Sequence, residues 1–250
     1  MKTISLVIPF YNTSRYLLDA VKYAIDDDFI SEIIINDDRS TDAEMERLND
    51  IVCDLDRGKI KIHGHEKNLG GFRNKFEGVE HSTNEWVYLL DSDNHPHDTT
   101  YDVIKSIENP DPNICYCPQT LLLQRDNSPE PYDSKTYNFE YELIGLKESK
   151  DAIAKGTEYF DWFLNTGNFI VNREKYLERL LDGYNNKEEP VYACSVAFSY
   201  HWMNNNGLYK IVPNMKYYHR VRSDSYWVTC GNNSNLSMDY YTNKIKNSSL

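Results

Sequence analysis

Along residues 1–108 apolar blocks and polar loops alternate in a regular order. Ile4 to Phe10 (ISLVIPF) is a short apolar run that reads as a strand, and the polar loop YNTSR follows it. Leu17, Leu18, Val21, Ala24 and Ile25 then recur at helical spacing. Glu32 to Asn36 (EIIIN) reads as a second strand, with Thr41 or Asp42 suited to cap a helix from about Ala43. Lys59 to His63 (KIKIH) is a third strand, and the glycines of NLGG precede another helical stretch. Trp86 to Leu90 is apolar without alternation, as expected of a strand buried on both faces. Asp98 is placed to cap a helix over TTYDVIKSI. Strand–helix alternation with short loops predicts an α/β fold: a doubly wound, mainly parallel sheet with helices on both faces.

The rhythm changes after Asn109. NICYCPQTLLLQ predicts another strand, whereas Arg125 to Gly156, with Pro129 and Pro131, reads as an irregular excursion. A short strand is expected over Phe169 to Val171, then a helix from Arg173. ACSVAFSYHWMNNNG predicts a helix closed by Gly207, and YKIVP and MKYYHRV predict two short strands. The expected organisation is one domain over 1–230, with a first half (1–108) and a mixed second half (109–230). Residues 231–250, rich in Asn and Ser, read as a tail or lid.

Composition narrows the partners. The chain has 250 residues, 40% hydrophobic and 26% charged, and its net charge of −12 disfavours nucleic acid and anionic membranes. The same charge means that an anionic ligand would need local cations or a metal. No run approaches the roughly 18 apolar residues of a membrane helix, so no membrane span is expected. The apolar stretch before Pro9 is too short for a signal peptide, and a cytoplasmic location follows as an expectation. Five cysteines without metal-site spacing predict free thiols in a reducing compartment, and Cys115 and Cys117, two apart in one strand, are not expected to bond.

Each predicted strand ends in polar residues: Tyr11 and Asn12, then Asp37 and Asp38, then Asn68, then Asp91 and Asp93. Parallel α/β sheets bind ligands at these ends, so residues distant in sequence converge there. In extended chain Asp91 and Asp93 point the same way, which lets the pair grip one cation. His95 and His97 continue that alternation, but Pro96 and the helix start at Asp98 favour a turn over a four-ligand site. His63 and His65 read as surface residues.

The ordered set SLVIPFYN, EIIINDDRSTD, EKNLGGFRN, YLLDSDN, NTGNFIVNR and GLYKIVPNMKYYHRVRSDSYW resembles the family-2 glycosyltransferases of the GT-A fold, from Ser5 to Trp227. The resemblance implies transfer of a sugar from a nucleotide-sugar, most often a UDP-sugar, to a saccharide or other hydroxyl acceptor. It implies a divalent metal, Mn2+ or Mg2+, ligated by Asp93 and His219, with Asp91 and Ser92 beside the ribose and the metal. It also implies Asp37 or Asp38 at the uracil edge and Pro9, Tyr11 and Asn12 beside the base. Asn68, Arg73, Asn168 and Arg220 would contact the nucleotide-sugar, with Arg222 as a further phosphate contact. The family usually has Gly where Arg39 stands.

Inverting members carry an acidic residue beside the helix that here reads ACSVAFSYHW, and this chain has none there. Glu189 is the expected base, with Glu188 and Asp161 as alternatives. The missing carboxylate motivates a second reading, a non-catalytic nucleotide-sugar-binding protein. A sugar nucleotidyltransferase is disfavoured because IPFYNTSRY lacks a glycine-rich phosphate loop, and dinucleotide oxidoreduction because no G-x-G-x-x-G follows the first strand.

Overall fold

The computed structural model describes residues 1–55, 58–126, 128–156 and 167–248. The first half alternates as expected: β1 (Ile4–Phe10), α1 (Ser14–Val21), β2 (Ile30–Asp37), α2 (Asp42–Leu55), β3 (Ile60–Gly64), α3 (Gly71–His81) and β4 (Trp86–Leu89). β3, β2, β1 and β4 lie side by side and parallel. Ile4, Leu6, Ile8 and Phe10 of β1 face one core with Leu17, Ala20 and Val21 of α1. Val7 faces the opposite core with Phe72, Phe76 and Val79 of α3. A strand buried on both faces in this way has no polar side, which is why the apolar runs do not alternate.

The short β5 (His95–Pro96) and the helix α4 (Thr100–Lys105) follow. Thr99, not Asp98, occupies the cap of α4, and Asp98 pairs with His97 at 2.6 Å. Next come β6 (Ile114–Arg125), β7 (Pro131–Thr136) and α5 (Leu146–Lys155), so the expected irregular excursion contains a strand and a helix. β7 pairs antiparallel with β6 through its backbone while its side chains stay mostly exposed, and hydropathy gives no signal for such an edge strand.

The remaining elements are β8 (Phe169–Asn172), α6 (Arg173–Asn185), α7 (Cys194–Asn204), β9 (Leu208–Val221), the single turn α8 (Tyr226–Thr229) and α9 (Asn232–Asn247). The described strands form one sheet in the order β3-β2-β1-β4-β8-β6-β9-β5, with β7 on β6. β8 runs antiparallel to both β4 and β6, which makes the second half of the sheet mixed. The two short strands expected near residue 212 are one strand with a bulge. Asn214, at φ 65°, donates its N–H to Gln119 Oε1, and pairing resumes at Thr120 and Lys216.

Two helix ends differ from expectation. Asn206, at φ 62°, is the left-handed residue that closes α7, and the Gly207 N–H then bonds the Trp202 carbonyl at 2.8 Å. Gly207 is required for a different reason: a Cβ there would lie 2.5 Å from the Trp202 oxygen. The stretch expected as a tail or lid is the helix α9, which buries Ser234, Ser237, Tyr241 and Ile245. Among the described residues all five cysteines are free, and no helix is long and apolar enough to cross a membrane.

Candidate active site at the carboxyl edge of the sheet

The ends of β1 and β2 are tied together first. The Asp38 N–H donates to the Phe10 carbonyl at 2.9 Å. The Asp38 carboxylate accepts the Leu69 and Gly70 N–H groups at 2.5 and 2.9 Å, and its carbonyl accepts Asn68 Nδ2 at 2.9 Å. Burial nevertheless holds this carboxyl above the usual range. Asp37, also buried, accepts the Ser40 N–H at 3.1 and 3.2 Å. Asn12 closes the loop from the other side: its Oδ1 accepts the Thr41 N–H, and its own N–H donates to Ser40 Oγ, both at 2.9 Å. Pro9 is half-buried opposite Asn36, and Tyr11 stands 47% exposed at the rim. Arg39 sits inside the turn at φ 67°. The familiar glycine at this position is therefore a backbone requirement, which Arg39 meets at a cost of about 1 kcal/mol.

Asp91 follows β4 and is fixed from three directions. Its N–H donates to Asn168 Oδ1 at 2.8 Å, and its carboxylate pairs with Lys75 Nζ at 2.7 Å. Gly167 packs so closely that a Cβ there would lie 2.1 Å from Asp91 Oδ2. Lys75 itself is buried, with its ammonium also 3.5 Å from Cys194 Sγ at the head of α7. Burial works against the ammonium, but the neighbouring Asp91 outweighs it and holds the lysine above its ordinary range. Ser92 is buried and accepts a hydrogen bond from Thr13 Oγ1 at 2.8 Å.

Asp93 meets the arginines that leave β9. Arg222 Nη1 lies 3.0 Å from Asp93 Oδ2, and Arg220 Nε donates to the Asp93 carbonyl at 3.0 Å. Burial, and then the nearby Asp91, push the Asp93 carboxyl up to about 6 despite the arginines. His219 stands one residue before Arg220 on β9, opposite Leu123 of β6, and Asp91 is the carboxylate that acts on its ring. Its Nδ1 is buried without a hydrogen-bond partner among the described residues, and burial depresses its pKa so that the ring is neutral at pH 7. Among the described residues no three His, Cys, Asp or Glu side chains form a ready-made metal cluster. His95 and His97 stack on Tyr218 instead of joining Asp91 and Asp93.

Other expected residues lie elsewhere. The Arg73 guanidinium is spent on the Tyr184 and Asn186 carbonyls, at 3.2 and 2.9 Å, so the cation that α3 brings to the carboxylates is Lys75. His65 is not a surface residue, because its ring contacts Asn36 and Asn74 at 3.0 and 3.2 Å and Glu77 at 3.2 Å. Asp161 falls outside the described residues, and Glu188 is exposed. Glu189 lies at the seam between α7 and α9, where its carboxylate contacts His201 at 2.9 Å, Lys244 at 2.7 Å and the Tyr241 hydroxyl at 3.1 Å.

That seam gives Glu189 a structural task and a poor geometry for taking an acceptor proton. Burial would raise its carboxyl, but Lys244 and His201 together hold it below the usual range. His201 is itself kept below its usual value, chiefly by burial. Both signs weaken the seam in acid: His201 is favoured neutral as the pH falls below about 6.5, and Glu189 loses its ionised form as the pH drops through its lowered value. Glu189→Gln is expected to cost about 2 kcal/mol of stability at pH 7. Urea unfolding of variant and wild type at pH 7 checks it, and equal stability would mean that the seam does not depend on the Glu189 charge.

The order of the strands and the polar edge they build are those of a GT-A glycosyltransferase. The chain belongs to glycosyl transferase family 2, whose model matches residues 5–181. It is similar to the glycosyltransferase GlyG of Streptococcus pneumoniae, at 24% identity over 187 residues, or 71% of this chain and 57% of that protein. It is also similar to the SPbeta prophage-derived glycosyltransferase SunS of Bacillus subtilis, at 35% identity over 92 residues, or 37% of this chain and 20% of that protein. The chain thus spans little more than half of one relative and a fifth of the other. Among solved structures, S. aureus TarS 1-349 in complex with UDP-GlcNAc superposes with a TM-score of 0.62 at 17% identity, covering 99% of this chain and 68% of that one. GalNAc-T7 with UDP, GalNAc and Mn2+ gives 0.62 at 16% identity, covering 89% of this chain and 44% of that one. At these identities the superpositions establish the fold alone.

Proposed function

We propose that the protein transfers a sugar from a UDP-sugar to an acceptor hydroxyl, with a divalent cation, Mn2+ or Mg2+, at Asp93 and His219. The observation that carries this reading is the pair of close carboxylates at the end of β4, together with the buried His219 Nδ1, which has no hydrogen-bond partner among the described residues and whose ring feels the Asp91 charge. A carboxylate oxygen and a neutral imidazole fit such a cation, and oxygens of a nucleotide diphosphate would supply further ligands of the same kind. When bound, the cation neutralises the charge that develops on the departing diphosphate. UDP-GlcNAc is the ligand solved with TarS, and UDP with Mn2+ is solved with GalNAc-T7, which supports the same donor class here.

The chain's own residues would divide the remaining work. Asp37 and Asp38 keep acceptor capacity beyond their backbone partners, enough for a uracil ring N–H, with Pro9, Tyr11 and Asn12 as the wall beside the base. Asn68 braces Asp38. Asp91 and Ser92 face the ribose, and Asn168 orients Asp91 through its backbone. Arg220 holds the Asp93 backbone in place. The absence of a carboxylate at the head of α7, where Cys194 stands, favours a second reading in which the chain binds a nucleotide-sugar without transferring it.

A panel of nucleotide-sugars incubated with the protein and Mn2+ separates the two readings. Release of UDP from any UDP-sugar, with or without a hydroxyl acceptor, is the expected result. A raised melting temperature without any UDP release would favour the binding protein.

A further inference from the structure

Two arginines strap the chain leaving β9 onto Asp93. Arg220 donates to the Asp93 carbonyl and pairs with Asp19 at 2.9 Å. Arg222 lies between the carboxylates of Asp93, at 3.0 Å, and Asp224, at 2.9 Å. Its side chain is only 7% exposed, and its guanidinium rests 4.9 Å from the centre of the Tyr16 ring. Tyr16 is held in turn by a hydrogen bond to Asp126, and Arg15 pairs with Asp224 at 3.0 Å. Arg222 is therefore fixed from several sides with one of its ends on the carboxylate.

We propose that Arg222 is a coupling residue: it makes a divalent cation and a nucleoside diphosphate bind together at Asp93 and disfavours the cation alone. This rests on the reading that Asp93 takes a divalent cation beside a nucleotide diphosphate. A cation arriving alone shares a half-buried carboxylate with a guanidinium, and like charges at such range repel strongly where water is scarce. A diphosphate reverses the balance, because its oxygens coordinate the metal and also accept the arginine fork. The repulsion is relieved only in the ternary state, and by linkage the same factor tightens each ligand in the presence of the other. Asp93 is spared an empty, uncompensated charge in the resting protein because Arg222 supplies the counter-ion until the cation comes.

The test is a Mn2+ titration of the full chain, read by the electron paramagnetic resonance of free Mn2+, with and without UDP. In the wild type, UDP should tighten Mn2+ binding by about 5- to 150-fold, the usual span of such couplings. Arg222→Gln should bind Mn2+ alone more tightly than the wild type and show a smaller enhancement by UDP, keeping only the share that direct coordination of the metal by the diphosphate supplies. Arg222→Met, which keeps the stem over Tyr16, gives the same answer if Gln loosens the strap. Arg222→Lys keeps the charge and should keep Mn2+ alone weak, as should Asp224→Asn, which frees only the far end of the strap. The proposal is overturned if the neutral variants bind Mn2+ alone no better than wild type while UDP still enhances binding to the same extent. If the wild type binds no Mn2+ even with UDP, the metal reading of the site fails instead.

Discussion

Lys75→Met should destabilise the protein by about 3 kcal/mol or more, measured by urea unfolding at pH 7. The ammonium is buried and pairs with Asp91 at 2.7 Å, and removing one partner of a buried pair leaves the other charge without compensation, at a typical cost of about 3–5 kcal/mol. Asp91 is 29% exposed, so water recovers part of that loss and the lower end of the range applies. The position of Asp93 adds to it, since each aspartate then faces the other with one fewer counter-ion. The double variant Lys75→Met/Asp91→Asn should recover much of the stability, because no uncompensated charge remains. If the single variant is as stable as wild type, the pair contributes nothing and the ordering of Asp91 by α3 is not real.

Asp93→Ala should weaken UDP binding in the presence of Mn2+ by on the order of 100-fold or more, since even the loss of a residue behind a metal ligand costs about 10–100-fold. Without Mn2+ the variant and the wild type should bind UDP with similar affinity, or the variant slightly better, because a carboxylate facing a diphosphate only repels it. Calorimetry at pH 7.5 is the right condition, because the Asp93 carboxyl, at about 6 in the free protein, is then ionised in the wild type. Equal losses with and without Mn2+ would mean that Asp93 supports the fold of the edge and takes no part in holding a cation.

Much of the first half, residues 1–108, could be read from the chain because its strands are buried on both faces. The run Trp86 to Leu90 reads as an interior strand and is one over Trp86–Leu89, with the aspartates emerging after it at the sheet's edge. Lys75 was missed because a lone lysine on a helix is normally assigned to solvent. A signal existed: Phe72, Lys75, Phe76 and Val79 stand at i, i+3, i+4 and i+7, so the lysine occupies the apolar face. Arg73, chosen in its place, falls off that stripe and reaches the end of α6. Arg222, by contrast, enters the sequence reading only as a phosphate contact that the resemblance implies, and its pairing with Asp93 depends on how β9 ends and has no local signature.

The second half was harder for physical reasons. β7 contributes main-chain hydrogen bonds and few buried side chains, so no hydrophobic period marks it. α9 buries Ser234, Ser237, Tyr241 and Ile245 at helical spacing, but two of the four are serines, which a hydropathy reading assigns to a tail. Its docking explains Glu189 as well. The Ser237 hydroxyl accepts the Ala193 N–H and donates to the Pro190 carbonyl, and Lys244 reaches the Glu189 carboxylate just ahead of Pro190. Without α9 in view, Glu189 was an acidic residue ahead of a helix. With it, the carboxylate has four partners within 3.5 Å.

The most direct test of the central claim is calorimetric titration of the wild-type chain with UDP at pH 7.5, once with Mn2+ and once with EDTA. A cation shared between Asp93, His219 and the diphosphate predicts binding about tenfold or more tighter with Mn2+. Equal affinity in the two buffers would contradict it.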